Sequence, residues 1–263
     1  MSSKVCLAMH NSIYIYGLGM MGGSLALAIK KHKIAKYIYA YDKCQISLDY
    51  GKSKKIITDY DTTDYKYLKN ADIIFVCTPI GSYKKALSVI KNFKKNTAII
   101  TDIGSTKSLV NKYAEQILSD NESNYIGSHP LTGKEVSSIE NSSHDLYRSA
   151  VVLITPILNT SPKTKSTIKK IWSNIKSKVH IIPPDIHDHV MSLTSHLPHL
   201  VSFALVNIIL SNNAIDNIKK YTGGGFKDFA RLANSDPIMW ADICKSNKKN
   251  IISSVNLLKK EYK

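Results

Sequence analysis

The stretch SIYIYGLGMMGGSLAL, Ser12 to Leu27, decides how the chain folds. Ile13 to Tyr16 have strand propensity and run directly into Gly17-Leu18-Gly19-Met20-Met21-Gly22, after which an alanine- and leucine-rich helix follows. That order is strand, glycine turn, helix. Gly17 suits the tight turn, Gly19 lets backbone approach a pyrophosphate, and Gly22 lets the helix pack closely on the strand. Free amides at the helix start, where the helix dipole favours negative charge, then face the phosphates.

A glycine pattern alone is weak, and the next segment strengthens it. A second strand-like run, Tyr37 to Tyr41, ends in Asp42, and a carboxylate at that distance accepts hydrogen bonds from both ribose hydroxyls. Asp42 repels a 2'-phosphate, which favours NAD over NADP, although Lys43 stands beside it. Leu18 and Met21 in the turn, with Thr78, Pro79 and Asp102 at later strand ends, complete the expected cofactor set.

Outward from this unit the alternation continues. A helix is expected from Ile46, a short strand at Ile56-Ile57, and a buried parallel strand over Asp72–Cys77 ending at Thr78-Pro79. A helix from Ser82 to Phe93 leads to a strand at Ala98–Asp102, and Gly104-Ser105-Thr106-Lys107 opens the next helix. Tyr125 to Ser128 reads as a strand delivering His129-Pro130, and Leu131 to Arg148 as a polar loop over the cleft. A strand at Ala150–Thr155, a crossover helix at Thr164–Lys176 and a last strand at Lys178–Ile182 close the pattern at Pro183-Pro184. The fold class is therefore α/β: a Rossmann-like doubly wound parallel sheet over residues 1–184, with ligands at the carboxyl ends of its strands.

From Asp185 no strand pattern remains. Ile186–Leu197 and Pro198–Leu210 read as two helices, Gly223-Gly224-Gly225 interrupts, and helices resume near Phe229 and from Met239 onward. Residues 185–263 make a thin core by themselves, so an all-helical domain that binds substrate and packs against a second subunit is expected, giving a homodimer.

Composition excludes several classes. The chain has 263 residues and 43% hydrophobic content, ordinary for a globular protein. Its apolar runs are shorter than a bilayer requires, and the N-terminus lacks a signal-peptide pattern, so a cytoplasmic protein with no membrane partner is expected. Cys6, Cys44, Cys77 and Cys244 lie far apart, unlike a zinc ribbon or disulfide framework. The net charge of +16 invites a nucleic-acid reading, but the lysine pairs are scattered along the chain, mostly at element ends, which fits solvated surface and no nucleic-acid partner. Among 36 basic residues only Arg148 and Arg231 are arginines, so these mark places where a planar fork is needed for a carboxylate.

Nine histidines offer candidates for proton transfer. His129 stands out because Pro130 stiffens it and it occupies a strand end facing the expected cofactor, which suits a base. His187, His189, His196 and His199 with Asp185 and Asp188 suggest a metal site, but no H-E-x-x-H pattern or cysteine accompanies them, so no metal is expected. The segment from Tyr221 to Arg231 places glycine amides and an arginine fork together, a combination that favours an anionic substrate.

Together these motifs resemble the prephenate and arogenate dehydrogenase family of tyrosine biosynthesis. The resemblance runs from Ile13 to Asn250 and rests on GLGMMGGS (17–24), DIGSTK (102–107), SHPLTGKE (128–135), IHDHVMSLTSHLPHL (186–200) and GGGFKDFARLANSDPIMW (223–240), in that order. It implies that His129 accepts a hydrogen bond from the substrate's ring hydroxyl and assists its deprotonation while hydride leaves for NAD. It further implies that Ser105 orients that hydroxyl, that Arg231 binds a substrate carboxylate, and that His199, the Gly224 backbone and His196 complete the pocket. Ala230 and Ser149 depart from common family residues, and neither touches this chemistry. The expected form carries no regulatory domain after Lys263 and no chorismate mutase segment ahead of the first strand. The main rival is arogenate as substrate. More distant rivals are a beta-hydroxyacid-type dehydrogenase, for which no lysine stands out as catalytic, and a non-catalytic dinucleotide- or nucleic-acid-binding protein.

Overall fold

The computed structural model describes residues 9–133, 136–211 and 218–261. The chain divides into two compact units, Met1–Pro184 and Asp185–Lys263. Cys6, together with Lys134 and Glu135 at the end of the SHPLTGKE motif, lies outside the described residues.

In the first unit an eight-stranded sheet runs in the order β3-β2-β1-β4-β5-β6-β7-β8. Strand β1 (His10–Tyr16) lies between β2 (Ala35–Tyr41) and β4 (Ile73–Val76), parallel to both. Beyond them β5 (Ile99–Asp102) and β6 (Tyr125–Pro130) extend the parallel order. The expected all-parallel sheet is corrected at one place: β7 (Val151–Thr155) runs antiparallel to β6, with His129 opposite Leu153. Among its described residues the segment between β6 and β7 holds one three-residue 3-10 turn, Ile139–Asn141, and no crossover helix, so β7 can enter beside β6 in the reverse sense. Strand β8 (Lys178–Ile181) is again parallel to β7, joined through helix α5 (Pro162–Asn174).

Strands β1 and β4 are almost fully buried because helices cover both faces, which explains their unbroken apolar runs. Trp172 on α5 is completely buried, meets Phe75 edge-on at 5.9 Å and Tyr147 at 5.3 Å, and donates its indole N–H to Ser128 Oγ at 3.3 Å. A buried tryptophan whose N–H is satisfied fixes the packing of α5 against the sheet.

The strand expected at Ile56-Ile57 is not formed. Both amides instead donate to the carbonyl of Gly51, closing the end of helix α2 (Gln45–Ser53), and their side chains are buried in the core. The short strand is β3 (Asp59–Tyr60). Helices α1 (Met20–Lys31), α3 (Tyr83–Phe93) and α4 (Ser108–Leu118) follow β1, β4 and β5, and α4 begins only after the Gly104–Lys107 segment expected to open it.

In the second unit the described residues are helical: α6 (Pro184–Met191), α7 (Leu197–Leu210), α8 (Gly224–Ala233), α9 (Pro237–Ser246) and α10 (Lys248–Glu261), with short turns between. Helices α6 and α7 are one continuous run, corrected from the two expected, because a π segment at Ser192–His196 joins them. Pro198 would clash with the carbonyl four residues earlier in a regular helix, and the wider π turn at Thr194 relieves it. The resulting 27-residue run, Pro184–Leu210, is long and apolar enough to cross a membrane by length and composition. The break at the triple glycine is shorter than expected: Thr222 and Gly223 are non-helical, Gly223 caps α8 and Gly224 is its first residue, so helix resumes ahead of Phe229. Among the described residues of this unit only Met191, Trp240, Ile243 and Ile251 are buried hydrophobics, and α7 buries only Ser202.

Candidate active site

Gly17 has φ +109, and a Cβ there would lie 2.8 Å from the Cys77 carbonyl carbon and 2.9 Å from the Thr78 amide nitrogen. Only glycine can make this turn between the ends of β1 and β4. A Cβ on Gly22 would lie 2.0 Å from the Gly17 carbonyl oxygen, so the first turn of α1 rests directly on the loop. The backbone is thus shaped to let a flat, charged group approach closely.

Asp42, half-buried at the end of β2, clasps this turn. Its Oδ2 accepts from the Leu18 amide at 2.6 Å and its Oδ1 from the Cys44 amide at 2.8 Å. A carboxylate has about four lone-pair sites, so Asp42 retains capacity for ribose hydroxyls while its position is fixed by backbone. Thr78 Oγ1 is buried without a partner among the described residues, at the end of the strand beside the turn. Pro79 next to it is exposed. An orphaned hydroxyl, a turn no side chain can enter and a clasped carboxylate fit a dinucleotide.

One part of the turn is already used. The Met20 amide donates to the carbonyl of Ser137 at 3.0 Å, and Leu18 to Asp42, which leaves the amides of Gly19, Met21 and Gly22 without a backbone partner among the described residues. The Ser137 segment belongs to the polar loop, and it is strapped onto α1. Ser142 Oγ donates to the Met20 carbonyl, the Ser143 amide to Ser24 Oγ, and the Tyr147 hydroxyl to the Met21 carbonyl at 2.8 Å. Ile139 and Tyr147, the fully buried apolar residues of this polar stretch, anchor the strap. Those two residues were the available sequence signal for it.

Asp102 ends β5 and was expected among the cofactor residues; its side chain is completely buried, and both its oxygens accept hydrogen bonds within the protein. Oδ2 accepts from the Gly104 amide at 2.8 Å, the Tyr83 hydroxyl at 3.1 Å and the Lys107 ammonium; Oδ1 accepts from the Ser128 amide at 3.1 Å and the Tyr125 hydroxyl at 3.2 Å. Burial, reinforced by the Asp102 charge, pushes the Tyr83 and Tyr125 hydroxyls well above their usual range, so both remain protonated donors. Lys107 is itself fully buried, an ion pair without solvent.

Ser105 and His129 flank that hub. Ser105 follows Gly104 in the loop before α4, and His129 follows Ser128 in β6; both are partly exposed. Successive residues of a strand point to opposite faces, so His129 shares its face with Gly127, where a Cβ would meet Thr155, Asn111 and Lys107 side chains within 3.1 Å. The glycine leaves room for α4 beside the histidine.

In the second unit His196 and His199 both pack on Trp240, His199 stacked at 4.0 Å and His196 edge-on at 5.9 Å. His199 Nδ1 donates to the Ser195 carbonyl at 2.9 Å, setting its tautomer. His196 is buried, faces Asn247 at 3.1 Å, and its pKa is lowered to about 4, chiefly by burial. His187 and Asp188 form a buried pair at 2.8 Å, and Asn247 donates to the Asp188 carbonyl. Arg231 and Gly224 lie on α8, both exposed. Among the described residues no group of three or more histidine, cysteine, aspartate or glutamate side chains is disposed to hold a metal.

A parallel-sheet unit ending on a glycine turn with a clasped acidic residue, followed by a compact helical unit, defines a dinucleotide-binding protein of the two-unit dehydrogenase type. The family models agree. Residues 25–181 match the prephenate dehydrogenase nucleotide-binding domain and residues 183–263 the prephenate dehydrogenase dimerization domain. The first match begins after Gly22, so the reading of the glycine turn stands on its own geometry. Among similar proteins, a prephenate dehydrogenase from Bacillus subtilis is 31% identical, over 93% of this chain and 66% of that protein. The chain thus spans about two thirds of that relative's length. A crystal structure of prephenate dehydrogenase from A. aeolicus, in complex with hydroxyphenyl propionate and NAD+, superimposes with TM-score 0.90 at 33% identity, covering 98% of this chain and 89% of that one. A crystal structure of Synechocystis arogenate dehydrogenase gives TM-score 0.81 at 25% identity, covering 95% and 89%. The chain belongs to the prephenate dehydrogenase family.

Proposed function

We propose that this chain is an NAD-dependent dehydrogenase that converts prephenate to 4-hydroxyphenylpyruvate and carbon dioxide in tyrosine biosynthesis, acting as a homodimer in the cytoplasm. The observation that carries the reading is the likeness to the A. aeolicus enzyme, which spans nearly the whole chain and is described with a hydroxyphenyl ligand and NAD+.

The roles are those the family resemblance implies for these residues. The Gly17–Gly22 turn, Asp42 and Thr78 hold the cofactor, which when bound supplies the hydride acceptor. His129 takes the proton of the ring hydroxyl, and Ser105 orients that hydroxyl toward it. As the ring carbon gives up hydride, the bond to the ring carboxylate breaks, its electron pair passes through the ring to the oxygen, which recovers the proton held by His129, and carbon dioxide departs. Aromatisation drives the step, so the protein need only align the groups and stabilise the developing carbonyl. Arg231 grips a substrate carboxylate with its fork, and His199, the Gly224 backbone and His196 line the rest of the substrate site.

Two further observations support the remaining parts. Helix α7 is apolar around its circumference yet buries only Ser202, which a second copy of this chain would cover, in keeping with the dimerization-domain match. Cys44, Cys77 and Cys244 are all free thiols, as suits a reducing compartment.

Arogenate is the second reading, favoured by the likeness to the Synechocystis enzyme. The test is NADH formation by the purified chain with prephenate and with arogenate, each repeated with NADP. Turnover with prephenate and NAD is expected; turnover confined to arogenate would replace the substrate, and silence with both would overturn the reading.

A further inference from the structure

The Asp102 hub has a place in this chemistry that neither the cofactor nor the substrate accounts for. Strand β6 pairs with β5 only through Tyr125 and Ile126, after which β6 turns to its antiparallel partner β7. Where the β5 ladder stops, the Asp102 carboxylate takes over, accepting the Ser128 amide on one oxygen and the Gly104 amide on the other. Each of those amides belongs to the residue immediately before a proposed reacting group: Ser128 before His129, Gly104 before Ser105. A single buried side chain thus ties together the two backbones that present the hydroxyl-orienting serine and the base.

We propose that Asp102 is a positioning residue that sets the separation of Ser105 and His129, with Lys107 as its buried counter-ion and Tyr83 and Tyr125 as the donors that lock its rotamer. This rests on the proposed roles of Ser105 and His129. The physical case is one of satisfaction and charge. A carboxylate with no solvent contact must be neutralised and fully hydrogen-bonded, and here an ammonium, two hydroxyls and two backbone amides do so. Because the donors come from β6, α3 and the Gly104–Lys107 segment, no one of those elements can shift without leaving a buried polar atom unpaired. The hub is therefore stiff, and stiffness is what a hydroxyl-to-base alignment requires, since displacements near 1 Å cost rate steeply.

The test uses Tyr125→Phe and Tyr83→Phe, which each delete one donor and keep the ring, alongside Asp102→Asn, which leaves the Lys107 ammonium buried without its carboxylate and can prevent folding. Four quantities are measured on the full chain: kcat and KM with prephenate, the NAD dissociation constant, the melting temperature, and amide exchange at Ser128 by NMR. For Tyr125→Phe the expected result is a fall in kcat of about tenfold, with KM and NAD affinity within about twofold and faster exchange at Ser128. Unchanged kcat in a variant with faster Ser128 exchange would overturn the proposal, because the backbone would have loosened without consequence. A parallel loss of NAD affinity would also overturn it and return Asp102 to the cofactor. Wild-type protein that binds NAD but leaves prephenate untouched would refute the proposed function instead, while the exchange and NAD measurements still decide whether Asp102 clamps the backbone.

Discussion

Replacing Gly22 by alanine probes the contact that brings α1 onto the glycine turn. The added Cβ would sit 2.0 Å from the Gly17 carbonyl oxygen and 3.0 Å from Ile15 Cγ2, whereas ordinary contact begins at 3.4 Å. The first atom is backbone and cannot rotate aside, so the N-terminal turn of α1 must retreat by about 1.4 Å, the difference between 3.4 and 2.0. Two effects oppose each other. Alanine gains about 1 kcal/mol of helix propensity over glycine, while forced overpacking costs about 1–3 kcal/mol and more when backbone must move. The clash wins, with a net loss of roughly 1–2 kcal/mol, or about 2–8 °C in melting temperature for a unit of this size. The larger effect is on NAD, since the Gly19 and Met21 amides move with the helix; at least about a tenfold loss of affinity, or 1.4 kcal/mol, is expected. Gly51→Ala is the control, because the atoms nearest its Cβ are the ends of the Leu18, Ile139 and Ile57 side chains, which can yield. Thermal unfolding and calorimetric NAD titration of both variants decide the matter. A Gly22→Ala protein with wild-type melting temperature and NAD affinity within twofold would refute the close-approach argument.

Four other outcomes are expected. His129→Asn should lower kcat by about 10²- to 10⁴-fold with little change in NAD affinity, and steady-state kinetics showing unchanged kcat would remove His129 from the mechanism. Arg231→Lys keeps the charge but loses the bidentate fork, so KM for prephenate should rise with kcat less affected; an unaltered KM would refute the carboxylate role. His196, with its pKa lowered to about 4 in the fold against 6.5 unfolded, takes up its proton in the unfolded chain first. Its contribution is therefore intact above pH 6.5 and is lost as pH falls toward 4, by on the order of 3 kcal/mol. Urea unfolding should show wild type losing stability more steeply over that window than His196→Gln, and equal slopes would exclude the effect. Sedimentation should give a dimer at micromolar protein, and a stable monomer would leave the apolar surface of α7 unexplained.

Much of the sheet was legible because strand and helix differ in apolar period, and the strands buried on both faces stand out as runs such as Ile73–Val76. Corrections fell where local pattern and tertiary demand diverge. Ile56 and Ile57 are β-branched and buried, but their amides cap α2, which no propensity scale reports. Pro198 reads as a helix start, and the π segment that accommodates it has no sequence signature. The three glycines look like a break, yet Gly224 opens α8. The site divides along the same line. Glycine turn, strand-end acid and strand-end histidine are visible because their places in the fold are set by neighbours in sequence. The Asp102 hub is not, because its donors are contributed by Tyr83, Gly104, Lys107, Tyr125 and Ser128, which only the folded sheet brings together.

The stoichiometry of a single reaction is the most direct test of the proposed chemistry. With purified protein, NAD and prephenate, NADH, carbon dioxide and 4-hydroxyphenylpyruvate should appear in equal amounts, because hydride loss and decarboxylation are one aromatising event. NADH without carbon dioxide, or binding of NAD without any turnover, would contradict it.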